Sequence, residues 1–278
     1  MPSTPSIQDL LRESAALVPL TEAQILLAHA LQQSRSFLLT WPKHIVTPDV
    51  CANFRQLLQR RTQGEPVAYL IGHKEFWSLS LRVTSATLIP RPETELLVEH
   101  ALKRIDKETA QRIADLGTGS GAIALAIAHE RPRATVVATD ASADALEVAT
   151  DNARRLQISN VSFRLGDWFT PLHGERFDII VSNPPYIAGD DAHLQEGDLR
   201  FEPQSALTCS EDALQALRSI ATEARSHLVE NGWLLLEHGF DQADAVTAQL
   251  TRLGYRDVAT ERDYAGNARV TLGRYGQN

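Results

Sequence analysis

The sequence predicts an α/β fold, a seven-stranded and mostly parallel sheet covered by helices, with a small all-helical domain ahead of it joined through a β-hairpin. Three observations carry this. Apolar residues recur at helical spacing over the first 75 or so positions, the period shifts to a loose alternation from Glu75, and strand-like and helix-like segments take turns from Arg112 onward. A chain of 278 residues has room for two domains. The expected boundaries are 1–74 for the helical domain, 75–90 for the hairpin linker and 91–278 for the α/β domain.

The elements follow in order. Ile7, Leu10, Leu11 and Leu17 mark a first helix, and Ile25, Leu26, Leu27 and Leu31 a second that starts at Thr21. Val50, Phe54, Leu57 and Leu58 mark another behind Pro48, and Arg60, Arg61 and Gly64 close it, in a domain of three to five helices. Phe76, Leu79, Leu81 and Val83 bracket the hairpin turn. In the run from Ile89 to Glu95, Pro90 and Pro92 stop any helix, and Glu93 and Glu95 suit the first turn of one that runs toward Lys107. RIADLG, TVVATD, VSFRLGD, FDIIVSN and WLLLEHG then read as strands, with helices over GAIALAIAHE, SADALEVATDNARRL, Glu211 to about Val229, and DQADAVTAQLTRL. YRDVATERD and RVTLGRY lie too close for a crossover helix, so they should pair antiparallel.

Composition narrows the partners. Asp and Glu total 35 against 27 Lys and Arg, a net charge of −8, which lowers the prospect of a duplex-DNA binder because phosphate neutralisation supplies most of that affinity. No apolar run approaches the ~20 residues of a membrane span, and the N-terminal MPSTPSIQDLLRESAAL is expected to carry no secretory signal. Cys51 and Cys209 build neither a disulfide framework nor a zinc site, and the nine histidines show no close helical pair, so no metal is assigned. The expectation is a soluble, cytoplasmic protein.

Three segments carry chemistry. In Asp115-Leu116-Gly117-Thr118-Gly119-Ser120-Gly121-Ala122 a strand hands over to a helix. Glycines at 117, 119 and 121 let the backbone turn tightly and approach a ligand with no Cβ in the way, and the following helix is expected to aim its amides there. A plain β–α turn needs one glycine, not three; a dinucleotide loop fits as well, since Gly117, Gly119 and Ala122 match its pattern. Asp140 ends the next strand about twenty residues on, where a carboxylate can accept both ribose hydroxyls. S-adenosylmethionine and NAD both contain a ribose, so both stay open.

The third segment decides. Asn183-Pro184-Pro185-Tyr186 follows a buried strand at the end where open α/β sheets bind ligands. Two prolines behind an asparagine make a rigid corner without competing N–H donors. The Asn183 side-chain oxygen and the Pro184 carbonyl can accept both hydrogens of a planar NH₂ group, with Tyr186 as an aromatic wall. Such a clamp has no task in hydride transfer.

With DLGTGSG, the NPPY quartet resembles the amino-methyltransferases that use S-adenosylmethionine on planar nitrogens. The ordered set LIPRPETE, DLGTGSGAIAL, GDWF, VSNPPYI, RFEPQSAL and LLLEHG closely resembles the bacterial peptide chain release factor glutamine methyltransferases of the HemK/PrmC type, over essentially the whole chain. The resemblance implies a Rossmann-like S-adenosylmethionine methyltransferase fold, S-adenosylhomocysteine as product, and transfer of methyl to the glutamine side-chain nitrogen of a Gly-Gly-Gln motif. It implies that Gly117, Thr118, Gly119, Ser120 and Gly121 enclose the methionine and ribose, with Asn183 also at the cofactor. Asp140 would hold the ribose hydroxyls, Trp168 would lie on the adenine, and Asp167 would meet its exocyclic amine. Asn183, Pro184, Pro185 and Tyr186 would hold the substrate carboxamide, and Arg91, Glu93 and the Phe201-Glu202-Pro203 run would shape the pocket, with a purely structural role for Glu202 equally open. The partners implied are release factors gripped by the helical domain, with no direct nucleic acid and no membrane, and a monomer is expected. Competing readings are a ribosomal-protein glutamine methyltransferase, a nucleic-acid adenine or guanine amino-methyltransferase using the clamp on a flipped base, and a cofactor-binding scaffold without turnover, which an intact clamp argues against.

Overall fold

The computed structural model describes residues 4–191, 194, 196–208 and 212–276. The chain divides into two compact units, Met1–His73 with Leu194–Phe201, and Lys74–His193 with Glu202–Asn278.

The first unit is helical. α1 (Ile7–Ser14) opens on a capping box, the Asp9 amide donating to Ser6 Oγ and the Ser6 amide to Asp9 Oδ2. α2 (Leu20–Leu31) ends at Gln32 in the left-handed region, and α3 (Arg35–Thr40) is capped by Ser34. α4 (Pro48–Thr62) starts on a proline at its first turn, and α5 (Val67–Ile71) stops at Gly72. Ile7, Leu10, Leu26, Leu27, Leu38, Phe54 and Leu58 pack its core. Leu17 does not join it: α1 stops at Ser14 and Leu17 lies exposed beyond it. The stretch from 196 to 201 is clipped on by Arg61, which pairs with Glu22 at 2.7 Å and Asp198 at 2.9 Å, and by Arg200 donating to the Gln63 carbonyl. Cys51 is buried, and Cys209 lies outside the described residues.

The second unit holds the sheet. β1 (His73–Phe76) and β2 (Leu79–Arg82) form the hairpin, turning through Trp77 and Ser78, both at positive φ without glycine. The Trp77 amide donates to Glu95 at 2.8 Å, one of the bonds that hold this turn. α6 (Glu95–Leu102) follows a 3₁₀ turn at Pro92–Thr94 and ends five residues short of Lys107, because the Arg131 guanidinium takes the Leu102 and Ile105 carbonyls.

Then come β3 (Arg112–Leu116), α7 (Ala122–Glu130), β4 (Thr135–Asp140), α8 (Ala143–Arg155), β5 (Val161–Leu165), β6 (Phe177–Ser182), α9 (Gln204–Leu207), α10 (Gln215–His227), β7 (Leu228–Glu237), α11 (Ala243–Arg252), β8 (Arg256–Arg262) and β9 (Ala268–Arg274). α10 begins four residues after Glu211, which lies outside the described residues, and β7 starts five residues before Trp233. The seven strands run in the order β5-β4-β3-β6-β7-β9-β8, parallel except for β9, which is antiparallel to both neighbours. Successive residues serve opposite faces: Val136 joins the core under α6 and α7, and Val137 the core under α10 and α11. Among the described residues no helix is long and apolar enough to cross a membrane.

The chain leaves β3 toward β4 on one side and β6 lies on the other, so the sheet's topological switch falls between β3 and β6. Ligands bind outside the carboxyl ends of strands at such a point.

Candidate active site

Parallel register sets four strand ends in a row. Leu116 pairs with Thr139 and with Ser182, and Ser182 with Leu236, so Asp140, Gly117, Asn183 and Glu237 stand side by side where β4, β3, β6 and β7 end. A cavity of about 300 Å³ opens there, lined among others by Gly117, Gly119, Asp140, Trp168, Asn183 and Pro185.

The glycine loop is built largely for its own support. Gly117 and Thr118 donate their amides to the Thr139 carbonyl, Gly119 to Asp140 Oδ2 at 2.8 Å, and Gly121 to the Thr118 carbonyl. The Ala124 amide, in the first turn of α7, donates to Asp115 rather than to the cavity. Of the first-turn amides of α7, that of Ala124 is therefore taken within the loop, while Gly117, Gly119 and Asp140 line the cavity. Both Asp140 oxygens are fixed, Oδ1 by the Ser142 amide and Oδ2 by Gly119, each oxygen keeping a lone pair for a ligand. The side chains of Thr118 and Ser120 are buried, Thr118 donates to Asp115 at 2.6 Å, and Gly121 serves as N-cap of α7; none of the three lines the cavity. Burial pushes the Asp115 carboxyl up to about 7, against the bonds from Thr118 and Ala124.

Gly117 lies under an aromatic ring. A Cβ there would come within 3.1 Å of Trp168 Cζ3, so the indole takes the space that a side chain would fill. Trp168 itself has a positive φ of 43°, and its carbonyl accepts from the Thr139 hydroxyl at 2.9 Å. Asp167 is exposed at the cavity edge.

Asn183 donates through Nδ2 to the Thr94 hydroxyl at 3.2 Å, which leaves its Oδ1 as a free acceptor at the cavity wall. Pro184 is buried and Pro185 lines the cavity. Tyr186 directs its hydroxyl to Glu237 Oε1 at 3.5 Å and gives its carbonyl to Gln242. Burial, reinforced by the neighbouring Glu237, keeps the phenol well above its usual pKa. Glu237 is buried and its Oε2 makes no well-aligned hydrogen bond, so desolvation raises its carboxyl to about 7. Its neighbour His238 is buried between the Gly239 carbonyl and the Thr271 hydroxyl, and burial lowers its pKa.

Glu202 is spoken for. Its buried carboxylate pairs with Arg91 and accepts the Ile89 amide at 3.0 Å, pinning the segment before α6 to the one before α9. Glu93 is exposed and acts on the site through its charge, raising the pKa of Glu237. Thr94 and Glu237 are the polar groups that sequence reasoning overlooked. The LLLEHG run singled out the segment holding Glu237, but only the pairing of β6 with β7 reveals what it faces. Among the described residues no cluster of three or more His, Cys, Asp or Glu could hold a metal ion.

Comparisons with known proteins agree with this geometry. The family described as "Methyltransferase small domain" matches residues 92–201, and the one described as "PrmC N-terminal domain" matches residues 6–72. A protein of Aliivibrio fischeri named release factor glutamine methyltransferase is 51% identical over 97% of this chain and 95% of its own length. One of Xylella fastidiosa with the same name is 52% identical over 97% and 98%. Among solved structures, a methyltransferase from Pyrococcus furiosus superposes with a TM-score of 0.55 at 20% identity, covering 80% of this chain and 98% of that one, which speaks for the fold. With full-length relatives at this identity, the chain belongs to the release factor glutamine methyltransferase family.

Proposed function

We propose that this protein transfers a methyl group from S-adenosylmethionine to the side-chain nitrogen of the glutamine in the Gly-Gly-Gln motif of peptide chain release factors, working as a monomer in the cytoplasm. The observation that carries the reading is Asn183. Its NH₂ is engaged by Thr94, so its oxygen is left to accept from a substrate NH₂ at the wall of the cavity that holds Gly117 and Asp140.

The residues present fit the cofactor. Asp140 offers a fixed carboxylate for the ribose hydroxyls, Gly117 and Gly119 present backbone without Cβ, and the Trp168 ring provides an apolar surface for adenine. When bound, S-adenosylmethionine supplies an electrophilic methyl group on a sulfonium. The protein's task is then the amide nitrogen, whose lone pair is delocalised into its carbonyl. Asn183 Oδ1 and the Pro184 carbonyl accept its two hydrogens and fix the plane of the carboxamide, so that one face of the nitrogen looks along a single direction. Alignment of this kind contributes up to ~7–11 kcal/mol in well-oriented systems. The same two acceptors strengthen as positive charge develops on nitrogen. The methylated amide cation is acidic enough to release its proton to water, so no strong base is required.

Mass spectrometry of a purified release factor incubated with this protein and S-adenosylmethionine tests the reading. One added methyl on the Gly-Gly-Gln glutamine is expected, with the rate falling about 10²-fold or more in Asn183→Ala, the scale of a lost transition-state hydrogen bond. No methyl gain, with cofactor binding demonstrated, overturns the substrate assignment.

A further inference from the structure

Glu237 takes no part in the clamp as the sequence displays it, yet the register sets it beside Asn183 at neighbouring strand ends. It ends β7 beside the end of β6, is only 1% exposed, and is faced by the Tyr186 hydroxyl at 3.5 Å and by the Thr94 hydroxyl, which makes no well-aligned hydrogen bond to it but holds its carboxyl down electrostatically. Thr94, also buried, is the group that receives the Asn183 NH₂. Thr94 thus acts on Glu237 on one side and receives Asn183 on the other, and of the three it is Asn183 that lines the cavity.

We propose that Glu237 is a positioning residue that, acting through the Thr94 hydroxyl, dictates which way round the Asn183 carboxamide stands. This rests on the reading of Asn183 as the acceptor for the substrate amide. Hydrogen-bond direction decides the orientation. An ionised carboxylate can only accept, so the single Thr94 proton is drawn toward Glu237. The Thr94 oxygen then offers only lone pairs to Asn183, which must answer with its NH₂ and turn its oxygen to the cavity. A neutral group at position 237 able to donate removes that constraint. Thr94 can then donate to Asn183 instead, and the carboxamide is free to flip and present NH₂ to an NH₂.

Burial sets the working range. It lifts the Glu237 carboxyl to about 7, with the exposed Glu93 raising it further, while Thr94, Arg269 of β9 and Tyr186 pull it down. The alignment of Asn183 is thus complete above neutral pH and fades below it.

The test is steady-state kinetics of the full-length protein on a purified release factor with S-adenosylmethionine between about pH 6 and 9. In the native protein kcat should fall as the pH drops through about 7. Glu237→Gln should lower kcat at least about 10-fold at high pH, flatten that acid limb, and leave KM for S-adenosylmethionine nearly unchanged. Thr94→Val should reproduce the loss and Thr94→Ser should restore most of the rate. A readout that needs no turnover is the ¹H–¹⁵N resonance of the Asn183 side-chain amide, assigned by its absence in Asn183→Ala. It should titrate near pH 7 in the native protein and be silent over that range in Glu237→Gln. Native kcat and pH profile in Glu237→Gln overturn the proposal, as does a loss of kcat that keeps the acid limb, or an amide resonance indifferent to Glu237. Should the native protein methylate no release factor, the proposed function falls, and the resonance still decides whether Glu237 orients Asn183.

Discussion

Gly117 sets the floor of the candidate site with a φ of 73°, in the region that side chains resist, and with the Trp168 ring across the place of its missing Cβ. Gly117→Ala therefore meets two penalties, backbone strain of order 1 kcal/mol and displacement of the indole. The expected outcome is a drop in affinity for S-adenosylhomocysteine of about 10-fold or more, seen by calorimetry, with kcat at saturating cofactor changed far less. Gly119→Ala, with open space at its Cβ, should suffer the strain alone and lose less. Gly117 and Asp140 were legible in the sequence because each signals locally, through a loop that needs glycine and an acid at a strand's end. Thr94 and Glu237 were not. Their meaning arises where Asn183, 89 residues from Thr94, folds against it, and no local pattern encodes that meeting.

The hairpin and the glycine loop are joined by a single residue of α8. Asn152 is buried, accepts the Arg82 amide at 2.6 Å, and donates to the carbonyls of Arg82 and Ser120. It thereby ties β2 to the turn that enters α7. Asn152→Ala leaves three backbone groups unpaired and should cost about 2–4 kcal/mol, measured by denaturant unfolding, at the upper range for lost buried hydrogen bonds. S-adenosylhomocysteine binding should weaken as well, because the support of the loop is lost. All seven strands of the sheet were legible from alternation and spacing, as was the antiparallel closing pair. The ends of elements were less so, for reasons that lie outside the elements themselves. α6 stops where a guanidinium from Arg131 takes its last carbonyls, and β7 gains an early stretch through an irregular register around Phe177 and Ile179 and the pairing of Asn231 and Gly232 with Tyr275.

Taken whole, the molecule keeps two carboxyl groups, Asp115 and Glu237, buried with pKa values raised to about 7. An unfolded chain releases those protons near pH 4, so between about pH 5 and 7 the native state binds more protons, and each group withdraws up to ~1.4 kcal/mol of stability per pH unit as the pH rises. His29, His100 and His238, with pKa values lowered mainly by burial, act in the opposite direction over part of that range. They are shared by native and variant proteins, so the difference isolates the carboxylate. The melting temperature of Glu237→Gln relative to the native protein should rise from about pH 5 to 8, and a flat difference would contradict the burial argument. Asp115→Asn should behave likewise in stability, but should act on cofactor affinity rather than on the orientation of Asn183. The helical unit carries a different consequence. Because Asp198 and Arg200 complete it from a segment far along the chain, the unit is discontinuous in sequence. During synthesis its first 73 residues leave the ribosome on the order of ten seconds before their remaining partners, at ~5–20 residues per second. Until then Arg61 has Glu22 but lacks Asp198, so the order of translation imposes a waiting period that no fragment ending at His73 would ever outgrow.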